Sequence, residues 1–194
     1  LTSDKETKGV VWDASTNNTR CILNVRPEIA DMAISPDRKW LVTTEQGHPA
    51  NIHAYPSGEK ITNLADVRGG PIIFSPSGRW VGAIGSTNRL LWNTNTWDHG
   101  PALPEKIETD AGDLAFTFDE KLLAVRVTAH IELLSLPGGE HLGSLEQNII
   151  PNPFCRIRFS PDGSHLASHG IDNSLIIWDF DILRRELTEM NLLW

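Results

Sequence analysis

Seven histidines, two cysteines and 25 acidic residues are the groups from which this 194-residue chain would build a metal site or a catalytic centre. His165 and His169 fall on one face of an extended segment, yet zinc needs a third ligand, and neither that ligand nor an HExxH pattern is present. Cys21 and Cys155 lie far apart, with no CxxC and no Cys/His spacing. Ser168-His169 are adjacent, but a nucleophile and its base meet in space, and the strained GxSxG turn that presents a serine is missing. No GxxxxGK or GxGxxG loop cradles a phosphate. Asp110, Asp113 and Asp119 gather near a turn, where acidic residues are ordinary. The reading is of a chain that works by binding, with no catalytic residue, cofactor or metal.

Four stretches that must carry the structure look alike: "AISPDRKWLVTT" from Ala33, "IFSPSGRWVGAI" from Ile73, "AFTFDEKLLAVR" from Ala115 and "RFSPDGSHLASH" from Arg158. Their apolar anchors Ile34, Phe74, Phe116 and Phe159 are spaced by 40, 42 and 43 residues, the period of a repeat architecture. After each anchor comes turn chemistry, Pro presetting φ and Gly accepting a positive one. A second anchor follows in each unit, at Ala54-Tyr55, Trp92-Asn93, Leu134-Ser135 and Trp178-Asp179, and Trp12-Asp13 ends an earlier unit. Trp40 and Trp80 fill one slot in successive units, which points to packing rather than ligand binding. Trp97, in "NTNTWDHG", is expected in a loop, either as an exposed anchor or as a chance echo of the Trp-Asp pair.

Each unit parses into four short strands: two strands from the first unit, three full sets of four, and three strands from the last. One such sheet cannot cover both of its faces, whereas stacked sheets can. The expected fold is all-β, a β-propeller of four-stranded antiparallel blades, with four to five blades covered and a short C-terminal helix. The blade segments are 1–25, 26–65, 66–104, 105–146 and 147–180. In 181–194, Leu183, Leu187, Met190 and Trp194 form one helical stripe that Asp181 would cap. That stripe is expected to pack back on the blades.

Hydrophobic residues make up 40% of the chain, enough for a core, and the formal charge of −8 argues against a general binder of nucleic acid backbones. No apolar run reaches the length of a membrane span.

"SPDGSHLASHGIDNSLIIWD" resembles the second half of a WD repeat, from the Ser-Pro-Asp-Gly turn to the terminal Trp-Asp. The resemblance implies that Trp12, Asp13, Phe74, Trp92, Phe116, Phe159, Ser168, Asp172, Trp178 and Asp179 are structural repeat positions. It places Asp172, Ser168 and Trp178 at three positions of the family's Asp-His-Ser-Trp brace. The histidine of that brace is missing, because Gly47-His48 falls between the second and third strands of its unit, so the blades are expected to rest on apolar packing. The resemblance further implies a seven-bladed ring of about 290 residues, of which this chain is the C-terminal portion. The tail, Leu183-Arg184-Arg185-Glu186-Leu187 and a closing Leu192-Leu193-Trp194, is similar to the end of bacterial WD-repeat proteins.

The function this implies is a non-catalytic interaction scaffold for a protein partner, with neither nucleic acid nor membrane insertion. The alternative is the regulatory or sensor propeller of a larger enzyme, foremost a bacterial serine/threonine kinase and next a hydrolase. The cytoplasm is the favoured compartment, or the outer side if a parent protein is membrane-tethered. Arg26, Arg68 and Phe154, in links from a fourth strand to the next first strand, are the expected partner-binding residues.

Overall fold

The computed structural model describes residues 7–25, 29–84, 91–101, 111–127, 130–146, 156–169 and 174–189. They form 16 strands and one helix, in five antiparallel sheets that follow one another along the chain. The first sheet is β1 (Thr7–Asp13) with β2 (Asn18–Val25). The second runs β3 (Ile29–Ile34), β4 (Trp40–Glu45), β5 (His48–Ala54) and β6 (Lys60–Arg68). The third holds β7 (Ile72–Phe74), β8 (Trp80–Ala83) and β9 (Leu91–Asn93). The fourth is β10 (Ala111–Phe116), β11 (Leu122–Val127), β12 (His130–Ser135) and β13 (His141–Glu146). The fifth is β14 (Ile157–Phe159), β15 (His165–His169) and β16 (Leu175–Asp179), and α1 (Phe180–Glu189) follows it.

Every sheet is a plain meander, and the opening strands β3, β7, β10 and β14 lie in sequence against one another. The sheets therefore stack as blades do, with apolar clusters between them. Val42, Ile52, Phe74, Val81 and Trp92 fill the layer between the second and third sheets. Trp80, Leu91, Leu114, Phe116 and Leu134 fill the next, and Leu122, Ile131, Ile157, Leu166 and Phe180 the one after. No sheet joins the first unit to the last among the described residues.

The turns repeat atom by atom. The Ser35, Ser75, Thr117 and Ser160 amides donate to the carbonyls of Trp40, Trp80, Leu122 and His165, and Arg38, Gly78, Glu120 and Gly163 donate back to the first residue of each turn. Those four residues share a positive φ of 59°, 77°, 55° and 72°.

Three expectations change, and another falls partly outside the described residues: the third unit was read as a full set of four strands, and of its fourth the described residues hold a single bridge, Trp92 to His99, with 102–110 outside them. In the second unit the second anchor is His53-Ala54 rather than Ala54-Tyr55. Gly58, Trp97 and Gly139 donate to the carbonyls of Ala54, Asn93 and Ser135, so His53 matches Trp92 and Leu134. Trp97 is no exposed anchor, since its ring meets Trp40 edge-on at 5.3 Å. The helix is capped by Asp179, whose Oδ1 accepts the amides of Asp181 and Ile182 at 2.9 and 3.0 Å, and not by Asp181.

Candidate interaction surface

The stack has two rims. One carries the turns between first and second strands and between third and fourth strands. The other carries the second-to-third turns and the links between sheets. Arg68 stands on this second rim, exposed, its guanidinium donating to the Gly47 carbonyl of the β4–β5 turn at 3.2 Å. Arg26 and Phe154 lie outside the described residues.

On the same rim, polar side chains converge where the innermost strands begin. β3 shifts register between Ile29 and Asp31, and β10 shifts between Ala111 and Asp113. Each bulge turns a carboxylate toward the following sheet. Asp31 Oδ2 accepts the Ile72 amide at 3.2 Å, and Asp113 Oδ2 accepts the Ile157 amide at 2.9 Å. Asp113 is buried and also takes Arg158 at 2.8 Å and Arg156 at 3.4 Å. Arg156 reaches Asp31 as well, at 3.7 Å, so one cation bridges the second and fourth sheets. Asp113 looked like an ordinary turn acid. The signal that reveals it is position: Asp31 and Asp113 both stand three residues before an apolar anchor, inside strands that should be apolar.

The repeat positions divide by what covers them. Phe74, Trp92 and Phe116 are buried between sheets. Phe159 and Trp178 pack against the last cluster, where the Phe159 ring lies 5.7 Å from that of Phe180. Trp12 is 60% exposed, whereas Trp92 in the same slot is 2% exposed. Asp13 accepts the Ser15 hydroxyl at 2.6 Å, pairs with Arg20 and accepts the Ser15 amide at 2.8 Å, and these bonds hold its carboxyl well below the usual range. Ser168 is buried, and Asp172 lies outside the described residues.

Residues 139–179 match the family model described as WD domain, G-beta repeat. The chain carries a WD repeat. The matched WD repeat straddles two sheets, taking β13 from the fourth and β14, β15 and β16 from the fifth, so one sequence unit stitches neighbouring blades together. None of the curated proteins compared with the chain matches it.

A polar cluster on β12 and β13 overlaps the start of this match. The half-buried His130, the exposed His141 and the hydroxyl of Ser144 surround Glu132, with His130 Nε2 at 2.9 Å and Ser144 Oγ at 2.7 Å. Burial opposes ionisation of Glu132, and the bonds from Ser144 and His141 outweigh it, leaving the carboxyl below its ordinary value. Ser, His and Glu meet here without forming a relay. His141 turns the same Nε2 toward both Glu132 and Ser144, and the serine donates directly to the carboxylate. Among the described residues, no three His, Cys, Asp or Glu side chains are placed to hold a metal ion.

Proposed function

We propose that the chain is a non-catalytic length of WD propeller that holds a protein partner on the rim bearing Arg68. A WD repeat is a unit of protein-interaction propellers, so the coarse role follows from the match at 139–179. What supports the rim is that Arg68 stands exposed at the end of β6, and that the exposed Arg156 and Arg158 pair with carboxylates where the inner strands begin. The repeat parse puts Arg26 and Phe154 in links of the same kind, and both lie outside the described residues. Among the described residues no helix is long and apolar enough to cross a membrane.

The reading favours a seven-bladed ring, and register supports it: Trp12-Asp13 and Trp178-Asp179 both occupy the third-strand slot, so the first and last sheets do not merge into one blade. The same surface would serve a regulatory propeller of a larger enzyme such as a bacterial serine/threonine kinase.

The test is a purified partner, found by crosslinking in the source cell, titrated against the Arg26→Ala/Arg68→Ala/Phe154→Ala chain. Affinity is expected to fall by at least about tenfold. Unchanged affinity with an intact fold removes the rim from the binding surface.

A further inference from the structure

One turn on the opposite rim keeps a residue that the fold does not reward. The fourth position of each first-to-second-strand turn takes a positive φ, and it is glycine at Gly78 and Gly163, Arg38 in the second sheet and Glu120 in the fourth. An L side chain there costs stability, because its Cβ crowds the following carbonyl. Glu120 recovers part of that cost, since its Oε2 accepts the Ser77 hydroxyl of the neighbouring turn at 2.9 Å. Arg38 recovers none. Its φ is 59°, its side chain is exposed, and among the described residues its guanidinium has neither a hydrogen bond nor an ion pair.

Arg38 stands in a groove of about 410 Å³ between the first and second sheets, whose apolar wall is Trp12, Ile34 and Tyr55. Trp12 is 60% and Ile34 41% exposed, so that wall is open to a ligand. The other charges lining the groove are Asp13 and Arg20, and they satisfy each other. Asp13 Oδ2 accepts Arg20 Nε at 2.8 Å, and its Oδ1 accepts the Ser15 hydroxyl at 2.6 Å. Asp37, next to Arg38 in the chain, is engaged elsewhere, with Oδ1 accepting the Ser35 hydroxyl at 2.6 Å and Oδ2 facing the Lys39 ammonium at 3.1 Å. Two cations against one carboxylate leave an uncompensated positive charge beside an exposed indole. The complement of such a groove is a carboxylate next to an apolar side chain.

We propose that this groove holds a short segment of a protein partner, with an Asp or Glu paired to Arg38 and a neighbouring apolar side chain laid on Trp12 and Ile34. This rests on the protein-interaction reading above and adds a second surface, on the rim away from Arg68. It also gives a reason for an arginine where the turn itself is better served by glycine.

Random peptides of about 12 residues, displayed on phage, are selected on the folded 194-residue chain, and the enriched sequences are titrated against its variants by fluorescence anisotropy. Enriched peptides are expected to set an Asp or Glu beside an apolar residue, to weaken with salt, and to lose at least about tenfold in affinity on Arg38→Gly. The same variant should melt at a higher temperature than the original, so that its loss of binding is not a loss of folding. Trp12→Ser, at an exposed side chain, should weaken the peptides several-fold, and Arg68→Ala should leave them unaffected. No enrichment, or peptides that bind the Arg38→Gly chain as well as the original, overturns the groove. Affinity and melting temperature falling together on Arg38→Gly would make Arg38 a support of the fold, which overturns it as well. Peptides lost on Arg68→Ala and kept on Arg38→Gly overturn it while leaving the other rim as the binding surface. If a longer form of the protein fails to bind peptides that this chain binds, strands of the same protein are the occupant, and the proposal falls.

Discussion

His53 shows what a repeat does when one unit abandons its usual residue. It occupies the slot of Trp92 and Leu134, 5% exposed, with Nδ1 facing the Gly58 carbonyl at 3.3 Å and Nε2 buried without a hydrogen-bond partner. Burial pushes its pKa below the ordinary 6.5. The unfolded chain then binds a proton more readily than the folded one, so stability is lost as pH falls below about 6.5 toward the lowered folded value. Urea denaturation should show His53→Leu within about 1 kcal/mol of the original chain at pH 7.5, and a smaller loss for the variant between pH 7.5 and 5.5. Equal pH slopes for the two chains would remove His53 as the source. Arg38 offers the complementary case: its φ of 59° is one that Gly78 and Gly163 adopt at the same slot. Arg38→Gly is expected to stabilise the chain by about 0.5 to 1 kcal/mol, read as a rise in thermal midpoint.

At the scale of the element, turns were legible and inter-sheet polar contacts were not. Pro-Asp-Gly turns and apolar anchors are local signals, because φ preferences and strand alternation act within a few residues. They located the strands of the second, fourth and fifth sheets. The slot of His53 was displaced because nothing in "NIHAYP" marks it. Asp113 was invisible for a different reason. Its partners Ile157 and Arg158 are more than 40 residues away, so its role exists only once the sheets stack. Asp113→Ala leaves the Ile157 amide without its acceptor and should cost about 2 to 3 kcal/mol. Asp113→Asn, which keeps an acceptor, should cost less. Equal losses for both variants would mean that charge, not the amide bond, holds β10 to β14.

At the scale of the molecule, the stack ends in two apolar faces. Val10, Trp12 and Ile22 stand exposed on the first sheet, together with Met32 and Ile34 of β3, and Leu175 and Ile177 stand exposed on the last. Interior sheets show how such faces are normally used, because the three layers from the second sheet to the fifth are closed by the next sheet's apolar side chains. An isolated chain with both ends open should therefore bind a hydrophobic dye and self-associate at micromolar concentration, which light scattering across a dilution series detects. The substitutions Ile22→Lys and Ile177→Lys fall on exposed side chains, so they should change stability by no more than about 0.5 kcal/mol. Together they should move association to at least about tenfold higher concentration, since a buried lysine opposes sheet-on-sheet stacking. Should the original chain stay monomeric and dye-free throughout, the end faces are not adhesive, and the case for further blades covering them falls with that result.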